Sequence, residues 1–430
     1  MRRIFLTCTL LALFPPVQAL TLQQAYQRAL NHDPDVAMAH AQWQAQQAVE
    51  RASKGALYPQ INFSAVLGRL DTTRTSTQSG ADFRYDSDTR NWNLSLRQTL
   101  YRADMWHDWK HQQALSESHY WRVPAQKRNL FVEVGRRYSA LVAAQTRLQA
   151  AIDFRNETAA QLKALQRRYA LGQADRAEVA QVSAQLSHAQ AQVDQYTDQL
   201  HQARLQLALF VGIPLDKTPL NTTLDTLVRQ ADQLIAQGIA ALMQQLDTHP
   251  LIRSARAEIN AAHAAIARAF AGHKPQVELS ISRSMSDSDS VNTLGYEYNT
   301  TSAQIRLNLP LYSGGSTTAQ VEAARQRLAA AQAQLASQQR TLKAQLIQYA
   351  TDLSGALKQL QGLNGQRSAA LTQLAAAERR HRLGQGDLSA IIQVRQHLAQ
   401  LEIERITLQE RIASNWLQLS SLLGLPDNQQ

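Results

Sequence analysis

Cysteine occurs once in 430 residues, as Cys8, and aromatic side chains make up only 6% of the chain. Cys8 falls in an opening segment where Arg2 and Arg3 precede an apolar stretch, 4–14, and then Val17-Gln18-Ala19. That charged, apolar and small-residue order predicts a secretory signal peptide over 1–19. Cys8 stands too early, after the wrong residues, for lipid attachment. Without that segment no thiol remains, which excludes disulfides, cysteine nucleophiles and thiolate metal sites. Scarce aromatics leave few large side chains for a globular core, so thin, extended packing is expected. Outside the opening segment no apolar run approaches the ~20 residues of a membrane-crossing helix, and any crossing falls to strands.

The formal charge of +10 becomes +8 once Arg2 and Arg3 leave with the opening segment. The cations are scattered among acids and glutamines without a basic run interleaved with aromatics, so solvated helix faces are expected and no nucleic acid. Enzymatic motifs are also missing: there is no His-Glu-x-x-His, no Gly-x-Gly-x-x-Gly and no phosphate loop. Asp104, His107, Asp108 and His111 have a ligand-like spacing, but beside Trp106 and Trp109 they read as the polar half of an interfacial turn. Asp287 and Asp289 lack the glycine and distal glutamate of a calcium loop. No cofactor and no metal is expected.

Periodicity supplies the architecture. Leu22, Ala25, Tyr26, Ala29 and Leu30 share a helical face, and a second helix runs over about 35–57. Tyr58-Pro59 stops it; Ile61, Phe63, Ala65 and Leu67 then form one face of a strand. A Ser/Thr/Asp-rich loop is expected at 71–89, before a return strand carrying Trp92, Leu94 and Leu96, and a second such loop at 284–301, both facing outside. A helix over about 102–171 has apolar positions at Val134, Tyr138, Leu141, Leu148, Ile152, Ala159, Leu162 and Tyr169, the spacing of a coiled coil. Pro124 predicts a kink or a break in it. The turn at Gly172-Gln173-Ala174-Asp175 starts an antiparallel partner ending at Gly212-Ile213-Pro214.

The pattern then recurs. Pro250 and Pro275 repeat Pro34 and Pro59 at an offset of 216; Leu311-Tyr312 repeats Leu100-Tyr101 at 211, so the second intervening loop is five residues shorter. Arg379 to Asp387 repeats Arg167 to Asp175 at 212, and Gly424-Leu425-Pro426 repeats Gly212-Ile213-Pro214 at the same offset. The expected division is a first repeat, 20–214, with hairpin 59–100 and long helix pair 102–212. Next come an intermediate segment, 215–247, and a second repeat, 248–426, with hairpin 275–311 and helix pair 316–424, then a tail, 427–430.

Each half thus supplies two strands with alternating apolar residues. Four strands cannot close a barrel, and an open sheet in lipid leaves unpaired edges, so closure requires several copies. With the apolar set outward, Asn62, Ser64, Asn93, Ser95, Arg97, Glu278, Ser280, Arg306 and Asn308 face a polar lumen. Tyr58, Tyr101, Trp106, Trp109 and Tyr312 gather at strand-helix junctions, as an interfacial aromatic belt does.

The second junction reads Leu309-Pro310-Leu311-Tyr312-Ser313-Gly314-Gly315, where the period changes from two to about three and a half. From Ser316 to about Leu383 no Pro occurs, and Gly does not recur until Gly355, so a helix on the order of 100 Å follows at ~1.5 Å per residue. A strand feeding such a helix through Leu-Pro-x-Tyr-x-Gly-Gly resembles the TolC family of outer-membrane channel proteins, and the resemblance covers essentially the whole chain after 1–19.

The resemblance implies a mainly α fold with a small β part: a trimeric twelve-stranded β-barrel continued by a twelve-helix α-barrel, built from two tandem repeats per chain. It implies 215–247 and the tail as a belt around the helical barrel, and a place in the outer membrane of a Gram-negative bacterium, reaching into the periplasm. The function it implies is a passive exit duct for multidrug efflux or type I protein secretion. Its partners would be outer-membrane lipid, a periplasmic adaptor and an inner-membrane RND, ABC or MFS transporter. Pro59, Tyr101, Pro275, Pro310, Tyr312, Gly314 and Gly315 would form the strand-helix junctions. The turns at Gly172 and Gly384 would lie at the periplasmic tip, where polar and acidic groups restrain the aperture. Asp175, Glu178 and Asp387 match that description, but Ala390 and Gln393 replace the acidic ring of the second copy. Arg176, Glu178 and His381 are candidates for ion pairs between turns; solvated turn residues are the alternative. A periplasmic coiled-coil rod without a pore is the rival function, disfavoured by the alternating strands, and a plain porin is disfavoured by the helical content.

Overall fold

The computed structural model describes residues 19–215, 219–288, 297–383 and 385–424; the expected signal peptide (but for Ala19), the tail and Gly384 lie outside them. The fold is mainly helical. Helices α1 (Leu22–Leu30) and α2 (Pro34–Gly55) precede strands β1 (Gln60–Thr75) and β2 (Asp82–Arg102), then α3 (Ala103–Ala170) and α4 (Arg176–Val211). Short helices α5 (Leu224–Ile235) and α6 (Ile239–Gln245) follow, and the order then recurs as α7 (Pro250–Phe270), β3 (Gln276–Ser288), β4 (Glu297–Asn308), α8 (Ser316–Arg382) and α9 (Leu388–Leu423).

Helix ends follow local chemistry. Thr21 and Gln24 form a capping box, each accepting the other's backbone N–H at 3.1 Å, so two donors of the first turn are satisfied. At the corresponding places in the two copies, α4 ends at Gly212 and α9 at Gly424, both left-handed caps. Asp33 caps α2 by accepting from the Val36 amide at 2.8 Å. Its counterpart in the second copy, His249, is buried instead.

The described residues form two compact units, one drawn from 19–37, 125–215, 219–249, 340–383 and 385–424, the other from 38–124, 250–288 and 297–339. The core of the first brings Ala25 and Tyr26 of α1, Leu130, Val134, Tyr138 and Leu141 of α3, Leu207 of α4, and Ile406 and Leu417 of α9 together. Tyr138 is fully buried and donates its hydroxyl hydrogen to the Leu20 carbonyl at 2.8 Å, which keeps its polar end satisfied. The intermediate segment joins this core: α5 packs on α9, where Gln409 donates to Asp225 at 2.6 Å. The second unit holds an antiparallel sheet in the order β1-β2-β3-β4.

Three expectations need correction. The segment 71–89 is strand except for the turn at 76–81, and strand likewise fills 284–288 and 297–301; residues 289–296 lie outside the described set. Polar strands persist there because backbone pairing carries them and opposite charges meet across the hairpin: Arg69 with Asp86 at 2.6 Å, and Arg84 with Asp71. Of the kink or break expected at Pro124, the break is absent: α3 continues through it as one 68-residue helix, the lost backbone bond being supported by the buried neighbours Val123 and Ala125. The coiled-coil seam drifts at its far end, where Leu165 is buried and Tyr169 is 47% exposed. A straight helix of period 3.6 leaves a strict 3.5 repeat over many turns.

Candidate channel wall and tip

The pairing register sorts the sheet into two unlike faces. Asn62 opposes Ser95 and Ser64 opposes Asn93; Arg97, Ser95 and Asn93 oppose Ser280, Ser282 and Ser284; Glu278 opposes Arg306, and Gln276 opposes Asn308. Side chains alternate along a strand, so every residue expected in the lumen shares one face. Arg97 and Glu278 form an ion pair at 3.1 Å on it. The other face carries Ile61, Phe63, Leu67, Leu94, Ile281, Ile305 and Leu307, from 40% to 82% exposed. Such a continuous apolar surface on a two-faced sheet suits lipid. Among the described residues, no helix is long and apolar enough to cross a membrane.

A β-bulge between Thr99 and Tyr101 shifts the register by one residue. The shift matters because Tyr101 then opposes Val277 and joins the apolar face, while Thr99 opposes Glu278 on the polar one. At the second junction the chain leaves β4 through Pro310, and Leu311 and Tyr312 are each 89% exposed. Gly314 and Gly315 take φ of 62° and 82°, a left-handed pair that side-chained residues resist. Ser313 and Thr317 share a hydroxyl hydrogen bond at 2.9 Å across the start of α8. Pro59 and Pro275 precede β1 and β3 directly, where the missing N–H leaves no ladder bond unmade. Near the first junction Trp106 and Trp109 meet edge to face at 5.0 Å, and the Lys110 ammonium lies 4.4 Å from the Trp109 ring centre.

The group at 104–111 is used internally. Asp104 pairs with Arg102 at 2.6 Å, Asp108 with Arg268 at 2.5 Å, and the His111 Nδ1 lies 2.8 Å from the Ala261 carbonyl. Among the described residues no group of His, Cys, Asp and Glu is arranged to hold a metal ion. A cleft of about 400 Å³ between α1, α3, α5 and α9 is lined by Leu22, Phe131, Leu227 and Trp416 with glutamines and threonines, which offer no titrating pair for catalysis.

At the ends of the long helices, Leu165, Val182, Leu388, Ile391 and Ile392 form a small core joining α3, α4 and α9, with Leu374 and Ala377 of α8 packed against it. Gly172 turns the first pair with φ of 71°, and the Gln173 amide donates to the Arg168 carbonyl at 2.8 Å. Asp175 and Glu178 form the capping box of α4, so their carboxylates serve the helix start. Asp387 caps α9 by accepting from the Ser389 amide at 3.2 Å, and its hydrogen bonds to Ser389 hold its pKa below the usual carboxylate value. Gln393 is exposed.

Arg176, Glu178 and His381, the candidates for ion pairs between turns, make no such pair with one another among the described residues of a single chain. Glu178 is engaged by its own helix start, while His381 meets Arg168, at 3.1 Å between Nη1 and Nε2. The His381 Nδ1 lies 3.0 Å from the Gly386 carbonyl, and Arg168 also donates to the Gln173 carbonyl at 3.2 Å. Arg168 thus ties the two turns together, a role that sequence spacing does not signal because the partners lie 213 residues apart.

Comparison with known proteins agrees with this geometry. The Outer membrane efflux protein family matches residues 25–213 and 241–425. The chain is 28% identical over 318 residues to the alkaline protease secretion protein AprF of Pseudomonas aeruginosa, covering 72% of this chain and 65% of AprF, slightly under two thirds of that protein's length. It is 24% identical over 381 residues to the outer membrane protein TolC of Vibrio cholerae, covering 87% and 84%. The fold is similar to that of the outer membrane protein VceC from Vibrio cholerae, with a TM-score of 0.72 at 18% identity over 94% of this chain and 96% of that one. The family is one of outer-membrane proteins and not of enzymes, and the chain belongs to it: it is a member of the outer membrane efflux protein family.

Proposed function

We propose that three copies of this chain close a twelve-stranded barrel in the outer membrane and act as the passive exit duct of a tripartite export system. The observation that carries the reading is the sheet: one face polar, the other apolar and exposed, and β1 and β4 left as its outer strands. Open edges in lipid leave backbone groups unsatisfied at several kcal/mol each, and pairing β4 of one copy with β1 of the next removes them. Energy would come from an inner-membrane transporter of the RND, ABC or MFS type through a periplasmic adaptor, because the chain carries no nucleotide motif. The turns at Gly172 and Gly384 form the adaptor-facing tip and gate, with Arg168 and His381 as its latch. Relatives are named for protease secretion and for pyoverdine export, so the cargo class is secreted polypeptides or small molecules.

Native mass spectrometry of the detergent-extracted protein tests the assembly. Three copies that survive heating in detergent are expected. A monomer, or a soluble rod that partitions away from membranes, would contradict the proposal and restore the periplasmic coiled-coil reading.

A further inference from the structure

The outward margin of the apolar face is marked by arginine. On β1 the apolar series Ile61, Phe63, Ala65 and Leu67 is followed on the same face by Arg69; on β2 the series Leu96, Leu94 and Trp92 is followed by Arg90. On β3 the series Val277, Leu279 and Ile281 is followed by Arg283, and on β4 Leu307, Ile305 and Ala303 are followed by Thr301. In the pairing register Arg69 lies opposite Asp88, Arg90 opposite Asp287, and Arg283 opposite Leu94 and Thr301, and Met285 follows Arg283 on the same face of β3. Three of four strands therefore place a guanidinium beside the last apolar residue of this face: Arg69 beside Leu67, Arg90 beside Trp92 and Arg283 beside Met285.

Their partners differ. Arg69 is held by Asp86 at 2.6 Å. Arg90 and Arg283 are exposed and form no ion pair among the described residues. Asp287 shares this face directly opposite Arg90, Asp88 and Glu297 lie further out than Arg283, and Asp71 is taken by Arg84. A group approaching from the apolar side meets Arg283 before Arg90. The Trp92–Met285 pair stands between Arg90 and Arg283, the indole N–H donating to the Met285 sulfur at 3.1 Å, and places an aromatic where a lipid-interface girdle has one.

We infer that Arg90 and Arg283 form a docking site for a phosphate-bearing lipid headgroup at the outer rim of the barrel. The inference rests on the reading of these strands as membrane-spanning. A planar guanidinium matches phosphate with two parallel N–H donors, and beside a low-dielectric surface that pairing is less screened than in water. The long stems of both arginines lie along the apolar face while their heads reach the headgroup layer.

The test is a titration of the detergent-extracted oligomer with bisphosphorylated lipid A, comparing wild type, the double variant Arg90→Gln/Arg283→Gln, and Arg74→Gln, which lies on the opposite face of β1. The double variant is expected to lose about tenfold or more in affinity, with Arg74→Gln unchanged. Dephosphorylated lipid A should bind all three alike and weakly, and inorganic phosphate should not compete. Equal binding by wild type and double variant, equal binding of both lipids, or displacement by inorganic phosphate would each overturn the site. If the double variant does not assemble, each single variant must show part of the loss, and no loss in either overturns it. Channel formation by the wild type in planar bilayers is scored separately: channels without phosphate-dependent binding reject the rim site and keep the duct, and absent channels reject the duct itself.

Discussion

Arg168 donates to His381 across the two tip turns at 3.1 Å, and this contact requires His381 Nε2 to be an acceptor. The neutral ring then carries its proton on Nδ1, which donates to the Gly386 carbonyl at 3.0 Å. The guanidinium and the ring thus hold the two turns in one arrangement. Arg168→Ala and His381→Ala should raise the open probability of the channel. Single-channel recordings check this; variants with the wild-type open probability would reject the latch.

His249 should govern part of the acid sensitivity of folding. Burial, and secondarily the charge of Arg128, lower its pKa to about 4. The unfolded value is ~6.5, so the unfolded chain binds more protons between the two values. The contribution to stability is fully present above pH ~6.5 and is lost as pH falls toward 4, about 3 kcal/mol in all. His249→Gln should flatten the fall of the unfolding midpoint over that window, measured by thermal melts of the extracted protein.

Much of the fold was legible because it rests on local rules. Strand alternation, the recurrent Gly turns and the offsets of Pro34 and Pro59 with Pro250 and Pro275 identify paired halves directly. The outer strand segments were not legible: beyond the apolar band both faces are polar, so Asp71, Arg84 and Asp86 look like loop until the register brings opposite charges together. Asp175 with Glu178 has the spacing of a capping box, and that signal competes with a gate role for the same carboxylates. The Arg168 to His381 contact and the bulge that turns Tyr101 outward depend on tertiary placement, which no periodicity carries.

The lumen should respond to Glu278. It pairs with Arg97 at 3.1 Å and opposes Arg306 in register, so the three together leave one net positive charge per chain. Wild-type channels should show little cation preference. Glu278→Gln leaves both arginines uncompensated and should move the reversal potential under a salt gradient toward anions. An unchanged potential, or a shift toward cations, would contradict this placement of the charges.

Gly135 sits where α3 and α9 approach closely. A Cβ there would meet the Leu417 side chain at 2.5 Å and 2.8 Å. Because Leu417 is fully buried and has little room to yield, Gly135→Ala should destabilise the helical core by about 1–3 kcal/mol. Denaturant unfolding followed by circular dichroism reads the change; a loss near zero would mean that the helices separate freely.

The central claim is that copies of this chain enclose a water-filled pore. Single-channel conductance of the detergent-extracted oligomer in a planar bilayer measures that most directly. Discrete steps in the wild type, with longer or more frequent openings in Arg168→Ala, are the expected result. A correctly assembled oligomer that gives no conductance steps in either form would contradict the exit-duct account.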